Sequence, residues 1–170
     1  MIDLTQTIDA LKNRRSVRQY ADKPIPKDVL EELIDCARYA PTARNFQPWE
    51  FVVVTEKASL LAIARLCEHG KFIDEAGACV LVLCRDVNRY LEDGSAATQN
   101  ILLAAARFGV ASCWVAGDKK PYVADILRLV GAPSELKLVS MVALGYPRSP
   151  DVFALAEKRL LEDVLHWEKF

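Results

Sequence analysis

The run Arg14-Arg15-Ser16-Val17-Arg18, followed about two dozen residues later by Pro41-Thr42-Ala43-Arg44-Asn45-Phe46-Gln47-Pro48-Trp49, decides how the chain is read. The first piece puts three guanidiniums and a hydroxyl into five residues, directly after an apolar-periodic run containing Ile8 and Leu11. Guanidinium forks match phosphate oxygens two at a time, and a serine hydroxyl adds another donor. The second piece holds two prolines, small residues and two side-chain amides, which is loop chemistry with amides free to read a polar heterocycle. A phosphate grip followed by a ring-edge reader predicts a phosphorylated aromatic cofactor.

Working outward, helical spacing of Leu4, Ile8 and Leu11 predicts a helix over about 4–13, N-capped by Asp3 or Thr5. The basic run sits at that helix's end, where the macrodipole also favours cations. Pro24 and Pro26 then break the chain. A helix over about 27–39 follows, with acids near its start, and Pro41 stops it. Phe51 to Thr55 reads as a buried strand and Ala78 to Cys84 as a central one, both apolar without alternation. Between them lies a helix over about 57–68, ended by Gly70. The helix over about 91–108 is apolar nearly all round, which predicts cover on every side and a second subunit over part of it. Ala111 to Val115 is a short strand. A helix capped by Asp118 is expected to run to about 130, and a strand from Leu136 to Leu144 ends in Gly145-Tyr146-Pro147. The tail, about 148–170, fits neither period cleanly.

At 170 residues the chain is expected to be one domain with a substantial core, and its 52% of hydrophobic residues leaves apolar surface for an interface. A net charge of −1 gives no reason to expect a polyanion such as nucleic acid. The five cysteines form no C-x-x-C pair and read as small buried hydrophobes. No Cys, His and carboxylate set has metal-site spacing, and no G-x-S-x-G, Walker A or G-x-G-x-x-G run occurs. Met1-Ile2-Asp3 does not open a signal peptide and no apolar run reaches about 20 residues, so a cytoplasmic protein without a membrane partner is expected.

The two opening stretches, in order with Ser112-Cys113-Trp114-Val115-Ala116-Gly117, Leu144-Gly145-Tyr146-Pro147 and a tail carrying Lys158-Arg159 and His166-Trp167, resemble the FMN-dependent nitroreductase family over nearly the whole chain. The resemblance implies an α+β fold, a mixed and mostly antiparallel sheet flanked by helices. It also implies an intertwined homodimer with two FMN sites at the interface and a C-terminal segment, about 148–170, wrapping the partner. It assigns Arg14, Ser16 and Arg18 to FMN, with Arg15 acting mainly through its backbone. Lys158 and Arg159 would reach the phosphate. Pro41, Thr42, Ala43, Asn45 and Gln47 would approach the ring from the opposite subunit, and the backbone at Ala116-Gly117 would reach flavin N5, glycine allowing the close approach. Arg44 stands where relatives often have a small polar residue, Ala116 where some have an acid, and Trp49 reads as core.

The implied activity is reduction of an electron-poor acceptor, such as a nitroaromatic or quinone, by NAD(P)H through FMN, with no side chain as an obligate catalyst. Two other readings fit the same residues: a non-catalytic flavin or nucleotide sensor or carrier, and another flavin chemistry on the same fold, such as dehalogenation, flavin fragmentation or azoline oxidation.

Overall fold

The computed structural model describes residues 4–150 and 157–170. Its centre is β4 (Lys137–Gly145), which is buried from Leu138 onward. A strand this apolar must be covered on both faces, and helices supply the cover. β2 (Ala78–Cys84), buried at every residue, pairs with one side of β4, and β3 (Ala111–Ala116) pairs with the other. β1 (Trp49–Val54) adds to the outside of β2, giving the order β1-β2-β4-β3 with every neighbouring pair antiparallel. The one parallel contact among the described residues is an isolated bridge between Ser16 and Ser112.

The helices are α1 (Leu4–Asn13), α2 (Lys27–Arg38), α3 (Lys57–Leu66), α4 (Tyr90–Arg107) and α5 (Val123–Leu129). α2 and α4 cover one sheet face, packing Leu33, Ala97 and Ile101 against Val80, Val82 and Val142. α3 and α5 cover the other, with Leu60, Ile63 and Ile126 against Leu81, Leu83 and Met141. Two small or polar contacts set how closely the layers approach. Gly145 has no room for a side chain, because a Cβ would lie 2.7 Å from the buried Tyr20 ring. On the other side, Thr98 of α4 donates to the Gly94 carbonyl at 2.7 Å, which leaves its oxygen to accept from Ser140 of β4, also at 2.7 Å.

Three expectations need correction. β1 is an edge strand, not a buried one: Phe51 and Val52 are half-buried and Val53 is exposed. An unbroken apolar run does not tell a central strand from an edge that awaits cover. Within one chain α4 is covered on one side. Leu103 and Ala104 are half-buried, while Ala106 and Phe108 are exposed. α5 begins at Val123, because Lys119 takes a left-handed φ of 56° that no helix continues through. Asp118 does not cap it, and accepts instead from the Tyr90 hydroxyl at 2.6 Å. Trp49 is buried as expected. An N-cap at Asp3 lies outside what is described, as does the tail from 151 to 156, and Thr5 falls within α1. The remaining tail, 157–170, is exposed throughout and holds only a short 3-10 turn at Leu161–Asp163.

Thr98→Val should cost about 1–3 kcal/mol, because it strands the buried Ser140 hydroxyl. Adding Ser140→Ala should recover part of that loss. Urea unfolding of the single and double variants checks this, and strictly additive losses would sink it.

Candidate functional site

The basic run leaves α1 in an extended conformation, held by the Ser16–Ser112 bridge and by the Val17 N–H donating to the Ser112 carbonyl at 3.0 Å. Extended backbone alternates its side chains. Val17 is fully buried while Ser16 and Arg18 are exposed, so Arg14, Ser16 and Arg18 share the outward side. Arg15 faces the other way. Its Nη1 donates to the Lys12 carbonyl at 2.8 Å and the Arg14 carbonyl at 2.9 Å, satisfying the end of α1, and its Nε is buried without a partner among the described residues.

The three outward groups converge on Cys113 of β3. Burial pushes that thiol above its ordinary range, against the pull of the Arg18 guanidinium, the Ser16 hydroxyl and Arg14. Arg18 and Cys113 line a cavity of about 550 Å³ with Phe72, Trp114, Ala116 and Tyr122, and the Arg18 guanidinium lies 5.8 Å from the centre of the Phe72 ring. Arg14 and Arg15 line a second cavity, of about 370 Å³, with Ser112 and the end of α4 at Arg107 and Gly109. The basic run thus borders two separate hollows, Arg14 and Arg15 on one and Arg18 on the other.

Which backbone groups open into the larger cavity follows from the β3–β4 ladder. Gly117 N–H donates to the Val139 carbonyl at 3.1 Å. In an antiparallel pair, bonded and outward-facing residues alternate, so Val115 also points at β4 while Trp114 and Ala116 turn their N–H and C=O outward. Two contacts agree with that parity: Ser112 meets Val17 from the outside, and the Tyr122 hydroxyl donates to the Ala116 carbonyl. Gly117 is buried against β4, where a Cβ would lie 2.6 Å from Leu138 Cγ. Of the Ala116-Gly117 backbone that the sequence singles out, the Gly117 amide is spent on the sheet and the Ala116 amide faces out. β3 also runs through Ala116, one residue longer than expected.

The segment from Pro41 to Gln47 lines neither cavity. It is held at the N-terminal end of α4. Buried Asp93 accepts the Thr42 hydroxyl at 2.7 Å and the Ala43 N–H at 3.2 Å, and Thr42 Oγ1 accepts the Gln47 N–H at 3.1 Å. Arg85 donates to the carbonyls of Phe46 and Gln47 at 3.1 and 2.9 Å. Arg44, Asn45 and Gln47 all have left-handed φ values of 51°, 57° and 45°. Asparagine tolerates this, whereas arginine and glutamine pay roughly 1–2 kcal/mol each. Pro41, Arg44, Asn45 and Gln47 are exposed, and Thr42 and Ala43 half-buried. Arg107, beside the smaller cavity, stands fourteen residues along α4 from Asp93, about 21 Å at helical rise. Lys158 and Arg159 lie in the exposed tail, and Arg159 donates to the Asp163 carbonyl at 2.6 Å. Within one chain, the basic run and Ala116 share a neighbourhood that the loop and tail do not enter.

Asp93, Arg85, Phe72 and Tyr122 are missing from the sequence reading. Asp93 looks like an ordinary acid in a helix's first turn, and nothing in its spacing announces that it is buried beneath a loop fifty residues earlier. Of the cysteines, Cys67, Cys79, Cys84 and Cys113 are buried, and desolvation raises the Cys67 and Cys84 thiols to about 11 and 12. They stay protonated at neutral pH and unreactive.

The fold is an antiparallel sheet flanked by helices, with an arginine- and serine-bearing run laid along its edge strand beside a cavity. The nitroreductase family model matches residues 11–87 and 85–146. A protein of Archaeoglobus fulgidus, provisionally described as an NADH dehydrogenase/NAD(P)H nitroreductase, is 33% identical over 175 residues, spanning 98% of this chain and 100% of that one. A Parabacteroides distasonis structure with the same provisional description superposes with a TM-score of 0.89 at 27% identity, covering 97% and 99% of the two chains. An FMN-dependent nitroreductase from Clostridium difficile superposes at 0.87 with 26% identity, covering 96% and 99%. The chain belongs to the nitroreductase family.

Asp93→Ala should cost about 2 kcal/mol, since it strips a charged acceptor from two donors, and should free the loop above it. Trypsin should then cut after Arg44 faster than in the parent protein. Unchanged cleavage and unchanged unfolding would contradict the bracing role.

Proposed function

We propose that the protein is an FMN-dependent oxidoreductase that takes electrons from NAD(P)H and passes them to an electron-poor acceptor such as a nitroaromatic or quinone. The observation that carries this reading is the outward run Arg14, Ser16 and Arg18 bridged to β3 at Ser112, four strand residues or about 13 Å from the outward amide of Ala116. A molecule with a phosphate at one end and a hydrogen-bonding ring at the other needs donors spaced in this way.

The residues present fit FMN. Arg14 and Ser16 offer donors suited to its phosphate, and Arg18, steadied over Phe72, puts positive charge in the cavity where the pyrimidine edge would lie. The Ala116 N–H is free to donate to N5, while Gly117 serves by letting β3 lie close against Leu138. Arg15 acts on the backbone of α1. When bound, FMN supplies the hydride chemistry, and the protein's part is to bind, orient and polarise it.

The site is completed, in this reading, by a second copy of the chain. The braced loop Pro41 to Gln47 faces solvent in one copy, and its left-handed residues fit a loop built to present groups to a neighbour. The tail exposes Leu160, Leu161, Val164, Leu165 and Trp167, an apolar strip that water does not favour. Ile8 and Leu11 of α1 and Phe108 beyond α4 are exposed as well. An intertwined homodimer in which the tail wraps the partner, bringing Lys158 and Arg159 toward a phosphate, buries these surfaces together. No helix of the described residues is long and apolar enough to cross a membrane, and the free thiols suit the cytoplasm.

The purified protein should be yellow, and its flavin band should bleach when NADH or NADPH is added without oxygen. Arg18→Ala should weaken FMN binding by about 10- to 100-fold, the loss expected for charge-assisted hydrogen bonds. Removal of residues 157–170 should shift the dimer toward monomer in sedimentation. A colourless protein that FMN does not reconstitute would overturn the reading.

A further inference from the structure

The cavity holding Arg18 and Ala116 has another hollow beside it. Lys120 and Pro121 line both, and the adjoining cavity, of about 580 Å³, has Val123, Leu127 and Leu136 among its other walls. We propose that this adjoining cavity receives the adenosine half of the nicotinamide dinucleotide, with the Lys120 ammonium on its pyrophosphate. The proposal rests on the functional reading above and extends it to the part of the donor that takes no part in the chemistry.

Chemistry sets the requirement. A nicotinamide delivering hydride in the first cavity carries a ribose, two phosphates and an adenosine that must leave by some route. Lys120 and Pro121 line both cavities, so the donor's tail would pass over them from one to the other, and the adjoining cavity has the size of a small-molecule site. Charge then selects the junction. Arg128 is neutralised by Asp125 at 2.8 Å and Lys137 by Asp86 at 3.0 Å. Lys120 is exposed and has no ion-pair partner among the described residues, so its charge is available to an anion. Its backbone is fixed: the Lys120 N–H donates to the Gly117 carbonyl at 3.2 Å, and the Lys120 carbonyl accepts from Val123 at 3.2 Å. The ammonium therefore pivots on a rigid base between β3 and α5. Beyond it, the aliphatic wall of Val123, Leu127 and Leu136 suits the flat, weakly polar face of adenine. Glu68, the acid lining the first cavity, disfavours a phosphate at that end and leaves Lys120 as the better partner.

The test compares two hydride donors on the FMN-loaded protein. Lys120→Glu should raise the KM for NADH about tenfold more than that for 1-benzyl-1,4-dihydronicotinamide, which lacks phosphates and adenosine. Lys120→Gln should give a smaller rise. Calorimetry supplies a readout apart from turnover: ADP-ribose should bind the oxidised parent protein, and Lys120→Glu should abolish that binding. Equal losses with both donors, an unchanged KM for NADH, or ADP-ribose binding that survives Lys120→Glu would each overturn the subsite. A parent protein that neither donor reduces would instead overturn the functional reading, and the subsite with it.

Discussion

The pairing of β3 with β4 is the constraint on which the site depends. Once Gly117 donates to Val139, every second peptide of β3 is committed to the sheet and the intervening ones are turned outward. That parity seats Val17 against Ser112, keeps the basic run extended, and so places Arg14, Ser16 and Arg18 on one side. A slip of one residue would exchange all these roles, offering the Val115 and Gly117 amides and burying that of Ala116. Gly117 guards the register, because any larger residue would meet Leu138. The site's hydrogen-bonding pattern is thus settled by main-chain geometry, and its charge is added by side chains.

A second constraint acts at the opposite edge of the sheet. The chain reaches β1 through three left-handed residues, and this unfavourable backbone persists because it is over-determined. Asp93 secures the loop's start through Thr42 and Ala43, and Arg85 secures its end through two carbonyls. The first anchor is on α4 and the second just beyond β2, so the loop is fastened to the most buried parts of the fold. Thr42 illustrates the consequence. Its hydroxyl donates to Asp93 and accepts from Gln47, so its side chain shapes the loop and has no donor left for a ligand.

Much of this was legible in the sequence, and the reasons for the remainder are physical. The central strand β2 and the helices α2, α3 and α4 were readable because burial imposes a period or an unbroken apolar run. The basic run stood out as a candidate cradle because it sets three guanidiniums within five residues. Its division did not: the burial of Val17 is what separates Arg15 from its neighbours, and burial there depends on a strand almost a hundred residues away. The start of α5 was misread because the Asp118 carboxylate found a tyrosine hydroxyl across the fold, where local pattern offered only a helix cap. The edge position of β1 was hidden for a related reason. Composition reports how apolar a strand is, and topology alone reports which side of it is paired.

That last point bears on the second copy. Apolar surface is left bare in several places at once: Val53 on the edge strand, Ile8 and Leu11 on α1, Phe108 after α4, and the strip from Leu160 to Trp167. Each alone would be unremarkable on a soluble surface. Together they include both the segment in need of cover and a segment of the same chain able to provide it. The tail has no fold of its own beyond one 3-10 turn, so it holds few internal contacts that docking would have to break. Ordering it still costs conformational entropy of about 1–2 kcal/mol per residue, of which burial of five apolar side chains at about 1.5–3 kcal/mol each would offset a part. A chain that stayed single would forgo that gain and leave its braced loop presenting groups to water.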